Sequence, residues 1–108
     1  MKKDILKTTW TTFKGKKVSF ETIDHQHLSN IYWYHKLVIK DNFDIDIKFI
    51  VAERFNGQIL PYRPHVDFKQ EIQALTDKGY LFSDPSDSSK INIVVNSTII
   101  GEIYNPFN

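Results

Sequence analysis

The stretch Phe43-Asp44-Ile45-Asp46-Ile47-Lys48-Phe49-Ile50-Val51-Ala52-Glu53-Arg54-Phe55-Asn56-Gly57 has two readings, and the choice decides how much helix this chain contains. With a period of two, Phe43, Ile45, Ile47, Phe49 and Val51 alternate with Asp44, Asp46 and Lys48 as on a half-buried strand, and Asn56-Gly57 becomes a hairpin turn. With a helical period, the early acids suit the positive end of the helix dipole and Gly57 takes the left-handed position that ends a helix. The two stay close. The helix is favoured because Ala52-Glu53-Arg54-Phe55-Asn56-Gly57 reads as a helix end.

Upstream, Thr8-Thr9-Trp10-Thr11-Thr12-Phe13 and Val18-Ser19-Phe20-Glu21-Thr22 are rich in Thr, Val and aromatics and flank Gly15, the pattern of a β-hairpin. Asp24 then suits the N-cap of a helix running to about Lys40, since its carboxylate can accept orphan backbone N–H groups. At 100° per residue, Leu28, Ile31, Tyr32, His35, Val38 and Ile39 share one face, which should be buried. Gln26, Ser29, Lys36 and Lys40 share the opposite face, and Trp33 lies among them.

Downstream, Leu60-Pro61-Tyr62-Arg63-Pro64 must be extended, because each proline fixes its own φ and pushes its predecessor out of the α region. Asp67 is expected to cap a helix through about Lys78, with Gln70 three residues on, Phe68, Ile72 and Leu75 at core spacing, and Gly79 as terminator. Tyr80 to Ser83, Lys90 to Val95 and Thr98 to Tyr104 read as three strands joined by residues 84–89 and by an Asn96-Ser97 turn. The expected fold class is therefore α+β: an N-terminal β-hairpin, two to three α-helices and a C-terminal antiparallel β-meander.

A length of 108 residues suits one domain spanning 1–108 with a single hydrophobic core. At 41% apolar and 25% charged residues, the composition is that of a chain that folds, not of a disordered one. With no cysteine, disulfides, thiolate chemistry and sulfur-ligated zinc are excluded. That absence fits a reducing compartment. The N-terminus begins like a signal peptide, but Ile5-Leu6 is too short an apolar run before Lys7, and no stretch approaches a membrane span. The expected location is cytoplasmic, away from the membrane.

The net charge of +1 hides a split, because residues 1–17 hold six lysines against Asp4 alone. The first segment is thus strongly basic and the remainder acidic. A basic arm can meet an acidic partner, or simply keep the end solvated. Lys14, Lys16 and Lys17 beside Trp10 and Phe13 could contact phosphates and stack bases, so weak nucleic-acid binding through the hairpin is one alternative.

Asp24-His25-Gln26-His27 is the most suggestive metal pattern. A His-x-His pair on an extended segment points both imidazoles to one side; on a helix they diverge by about 200° and cannot chelate. Because His25 and His27 fall in a first helical turn, a His-dependent metal hydrolase is kept only as a further alternative. Asp44 and Asp46 could add carboxylates only on a strand. His35, among apolar neighbours, reads as a core histidine with a satisfied hydrogen bond. The glycines are isolated, and neither a phosphate loop nor a nucleophile elbow is visible, so no catalytic residue and no cofactor are assigned.

Two features point to recognition. A tryptophan on a polar helix face needs a cover, supplied by the hairpin or by a partner, which makes Trp33 a candidate hot spot. Tyr62-Arg63-Pro64-His65 presents an aromatic, a planar cation and an imidazole on a stiffened backbone suited to a carboxylate, phosphate or peptide; the competing reading packs Tyr62 on the core. The element order resembles a winged-helix outline, with residues 67–78 as recognition helix and 84–89 as wing. Asp67, Glu71, Asp77, Asp84 and Asp87 would repel phosphates there. The reading adopted is a non-catalytic protein-binding or adaptor domain, a small accessory or host-interaction factor with contacts from Trp33, Tyr62, Arg63 and His65.

Overall fold

The computed structural model describes residues 9–11 and 15–105, and of Trp10 only the backbone. The fold is α+β, with three α-helices, an N-terminal strand pair and a three-stranded antiparallel sheet among the described residues. The chain divides into two compact units, Met1–Leu60 and Pro61–Asn108. No helix is long and apolar enough to cross a membrane among the described residues.

In the first unit, β1 (Thr9–Thr11) pairs antiparallel with β2 (Lys17–Ser19), Thr9 opposite Ser19 and Thr11 opposite Lys17. Asp24 caps α1 (His25–Tyr34) as its position suggested, its Oδ1 accepting the His27 N–H at 2.7 Å. From His35 to Ile39 the helix widens into a π-helical turn, closed by the Lys40 N–H on the His35 carbonyl at 2.7 Å. Lys40 is left-handed, which stops the helix and swings Asp41 back beside His35. His35 is buried, with Nδ1 3.0 Å from both Asp41 oxygens, so it is a core histidine with a hydrogen-bond partner.

The ambiguous stretch is a helix, α2 (Phe43–Phe55). Ile47, Ile50 and Val51 are fully buried and Ile45 is exposed, a three-to-four spacing that no strand produces, since Ile45 and Ile47 would share a strand face. Asp41 supplies its start by accepting the Phe43 N–H at 2.9 Å. Asn56 and Gly57, both at positive φ, end it. From the last turn, Arg54 donates to the carbonyls of Phe20 and Ile23, tying α2 to the segment before α1. Phe20, Ile23, Leu28, Ile31 and Tyr32 meet Ile47, Ile50 and Val51 in one apolar core.

In the second unit, α3 is Lys69–Asp77. The expected cap at Asp67 is displaced: the cap position falls on Phe68, whose phenyl ring cannot accept a hydrogen bond, and the chain enters through a turn closed by the Phe68 N–H on His65. Strands β3 (Leu81–Ser83), β4 (Lys90–Val95) and β5 (Thr98–Tyr104) form the meander in sequential order. Asn96 and Ser97, both at positive φ, make the tight β4–β5 turn, and a bulge follows Ile93. Tyr62 adds a parallel bridge to Gly101 on the far edge of β5. Only glycine permits that approach, because a Cβ at Gly101 would lie 1.9 Å from the Tyr62 carbonyl oxygen.

Candidate binding surface

The β-strand period sorts the sheet into two faces. Leu81, Ile91, Ile93, Gly101 and Ile103 point inward, with Ile93 and Ile103 buried. Outward point Phe82, Asn92 and Glu102 in one cross-strand row, Lys90 with Tyr104 in a second, and Val94 with Ile99 in a third. Phe82 is 56% exposed, Ile99 63% and Tyr104 73%. The two charges between them compensate, Lys90 Nζ lying 3.7 Å from Glu102 Oε1. The result is an aromatic and aliphatic surface with no net charge. Sequence reasoning passed it over: alternation sets Phe82 and Tyr104 opposite the core-facing residues, but it gives Ile99 the parity of Gly101 and Ile103, and only the bulge after Ile93 brings Ile99 beside Val94 on the outward face.

Of the residues expected to bind, Trp33 and Tyr62 have hydrogen-bond partners within the chain, and Arg63 and His65 are exposed. Trp33 packs against the core of the first unit, and its indole N–H donates to the Leu60 carbonyl at 2.9 Å. Tyr32 meets its ring edge-on with centroids 5.2 Å apart. Part of its cover is the chain's own segment 58–60, and the ring stays half-buried. Ser29, one turn earlier, accepts the Leu60 N–H at 3.0 Å, and His25, a further turn back, sits 2.5 Å from the Gln58 carbonyl through Nε2. His25, Ser29 and Trp33 thus form an i, i+4, i+8 stripe that satisfies the backbone of an extended segment. The part of the polar-looking face that carries Ser29 and Trp33 is an internal contact, while Lys36 and Lys40 on it are exposed.

Tyr62 is fully buried and its hydroxyl donates to Glu71, so the reading that packs it on the core is the one realised. Arg63 and His65 are exposed, His65 meeting Phe68 edge-on at 5.7 Å. Glu71, expected among surface acids, lies on the buried face of α3 with Leu75. Burial raises its pKa to about 7, against the lowering effect of the Tyr62 hydrogen bond.

His25 stacks on Phe55, centroids 4.0 Å apart, and the helical rotation between His25 and His27 keeps their rings from a common site. No group of three or more His, Cys, Asp or Glu is placed to hold a metal among the described residues. Lys16 and Lys17 are exposed at the start of β2; Lys14 and the side chain of Trp10 lie outside the described residues. Asp84 and Asp87 each accept a serine N–H and hydroxyl two residues on, bonds that hold both carboxyls below the usual range and keep the 84–89 loop anionic. Comparison with protein-family models, with curated proteins and with solved structures finds no match for this chain.

Proposed function

We propose that this chain is a non-catalytic protein-binding domain, a small accessory factor of adaptor type, whose contact surface is the outward face of the β3–β5 sheet. The observation that carries the reading is the exposure of Phe82, Ile99 and Tyr104 together on that face. Aromatic side chains are enriched at the centres of protein interfaces, where they bury a large area at low entropic cost, and several large apolar side chains exposed on one face of a small domain mark such a site. The Lys90–Glu102 pair leaves the face neutral, and the neighbouring loop carries Asp84 and Asp87, so the fitting partner presents an apolar, weakly charged protein surface, not a polyphosphate. Arg63 and His65, exposed on the segment that borders β5, can add polar contacts at its rim. The absence of cysteine suits action in a reducing compartment such as the cytoplasm.

The test places a photocrosslinking residue at position 92, between Phe82 and Glu102 in the outward row, with position 16 as control, and compares capture by the chain otherwise wild-type and by one that also carries Phe82→Ser/Tyr104→Ser. A discrete protein adduct from the sheet face that the double variant loses, with its melting temperature unchanged, is the expected result. Adducts formed only from position 16, or retained in full by the double variant, would overturn the reading. Sedimentation of the purified chain tells whether the partner is a second copy.

A further inference from the structure

Glu71 is the one buried acid among the described residues, and it is wired to the edge of the sheet. Its Oε1 accepts the Tyr62 hydroxyl. Tyr62 in turn holds β5 through its backbone, donating its N–H to the Ile100 carbonyl at 3.0 Å and accepting the Glu102 N–H at 2.8 Å. The carboxyl therefore anchors the ring whose main chain occupies the outer edge of β5.

An ionised carboxylate at this position strengthens one hydrogen bond but leaves a charge in an apolar interior. Burial is the larger of the two effects, since the pKa moves up from 4.5 to about 7 despite the Tyr62 bond. No charged side chain contributes to that shift among the described residues, so no neighbouring cation offsets the cost.

We propose that Glu71 and Tyr62 form a proton-dependent latch: with Glu71 protonated, segment 61–63 is held on β5, and loss of the proton to solvent releases the segment and uncovers the β5 edge. The uncovered edge presents the Ile100 carbonyl and the Glu102 N–H, an acceptor and a donor of the kind an added strand takes up. The latch concerns this edge, not the outward sheet face, and operates whether or not that face binds a partner.

The sign follows from the direction of the shift. The closed form holds the proton more tightly than the open one, so closure is fully favoured below about pH 4.5, weakens between there and about pH 7, and changes little above. Over that span the closing equilibrium falls by up to a few hundred-fold, about tenfold per pH unit.

Amide exchange on the full chain reads the latch directly. After correction for intrinsic exchange rates, the Tyr62 and Glu102 amides of the wild type should lose protection about a hundredfold from pH 5 to pH 8, while amides within the β4–β5 ladder change far less. In Glu71→Gln, which keeps the shape without a titrating proton, protection of both should be independent of pH. A flat wild-type profile, an equal slope in the variant, or an equal loss throughout β4 would overturn the latch. Carbon-13 titration of the Glu71 carboxyl supplies a measurement that needs no variant: a midpoint near 7 supports the latch and one near 4.5 overturns it. Tyr62→Phe should raise that midpoint, because it removes the bond that favours the anion; a fall would overturn the proposed pairing.

Discussion

Trp33 shows how a single side chain can satisfy two demands. Its ring packs beside the core while its N–H pairs with Leu60, whose own N–H goes to Ser29, so both polar groups of that residue are matched across α1. Trp33→Phe keeps most of the packing and leaves the Leu60 carbonyl short of its donor, an expected cost of about 1 kcal/mol. Trp33→Ala also opens a cavity, and since the ring is only half-buried its cost should lie near the lower end for aromatic truncation, about 3 kcal/mol. Ser29→Ala should cost about 1–3 kcal/mol by stranding the Leu60 N–H. Urea unfolding of the three variants checks the ladder. A Trp33→Ala loss below about 0.5 kcal/mol would show that the ring serves something other than this fold. The four-residue spacing of His25, Ser29 and Trp33 was visible in the sequence, but the segment they hold lies more than twenty residues away, and periodicity carries no information about such a partner.

Among the elements, α2 carries a clean test of period. On a helix Ile45 faces solvent and Ile47 the core, whereas on a strand both would share a face. Ile45→Ser should change stability by less than about 0.5 kcal/mol, and Ile47→Ala should cost about 2–5 kcal/mol. Comparable losses from both would contradict the helix. In the sequence the helix was favoured by the helix end at Ala52 to Gly57; in the fold Ile50, which breaks the alternation, completes the buried stripe with Ile47 and Val51. Strand β5 carries a different constraint, since Gly101 is there for the space that Tyr62 needs. Gly101→Ala forces the 61–63 segment off the edge, and a loss of about 2 kcal/mol or more in denaturant unfolding is expected, larger than the gain a Gly→Ala change usually brings through the unfolded state.

For the whole molecule, the length suggests a single domain, whereas the fold divides at Leu60 into two compact units of sixty and forty-eight residues, each small enough to be marginal by itself. Both tryptophans, Trp10 and Trp33, lie in the first unit, so fluorescence reports that unit and far-UV circular dichroism reports both. Coincident urea transitions are expected; separated ones would show two independently folding domains. Charge at this scale bears on nucleic acid, because the basic residues concentrate before residue 18. Affinity for DNA or RNA should be weak, fall steeply with salt and largely vanish in a Lys14→Ala/Lys16→Ala/Lys17→Ala variant; tight binding that survives those changes would point to another surface. What the sequence determined by itself was local: the Asp24 cap, the proline-extended segment, the Asn96-Ser97 turn and the alternation of the meander all follow from constraints acting within a few residues. The tertiary structure alone decided that Trp33 and Tyr62 turn inward, that Glu71 joins the core, and that Phe82, Ile99 and Tyr104 stay uncovered. Burial depends on which distant segment arrives to supply the missing hydrogen bond or apolar neighbour, and that is a property of the folded chain as a whole.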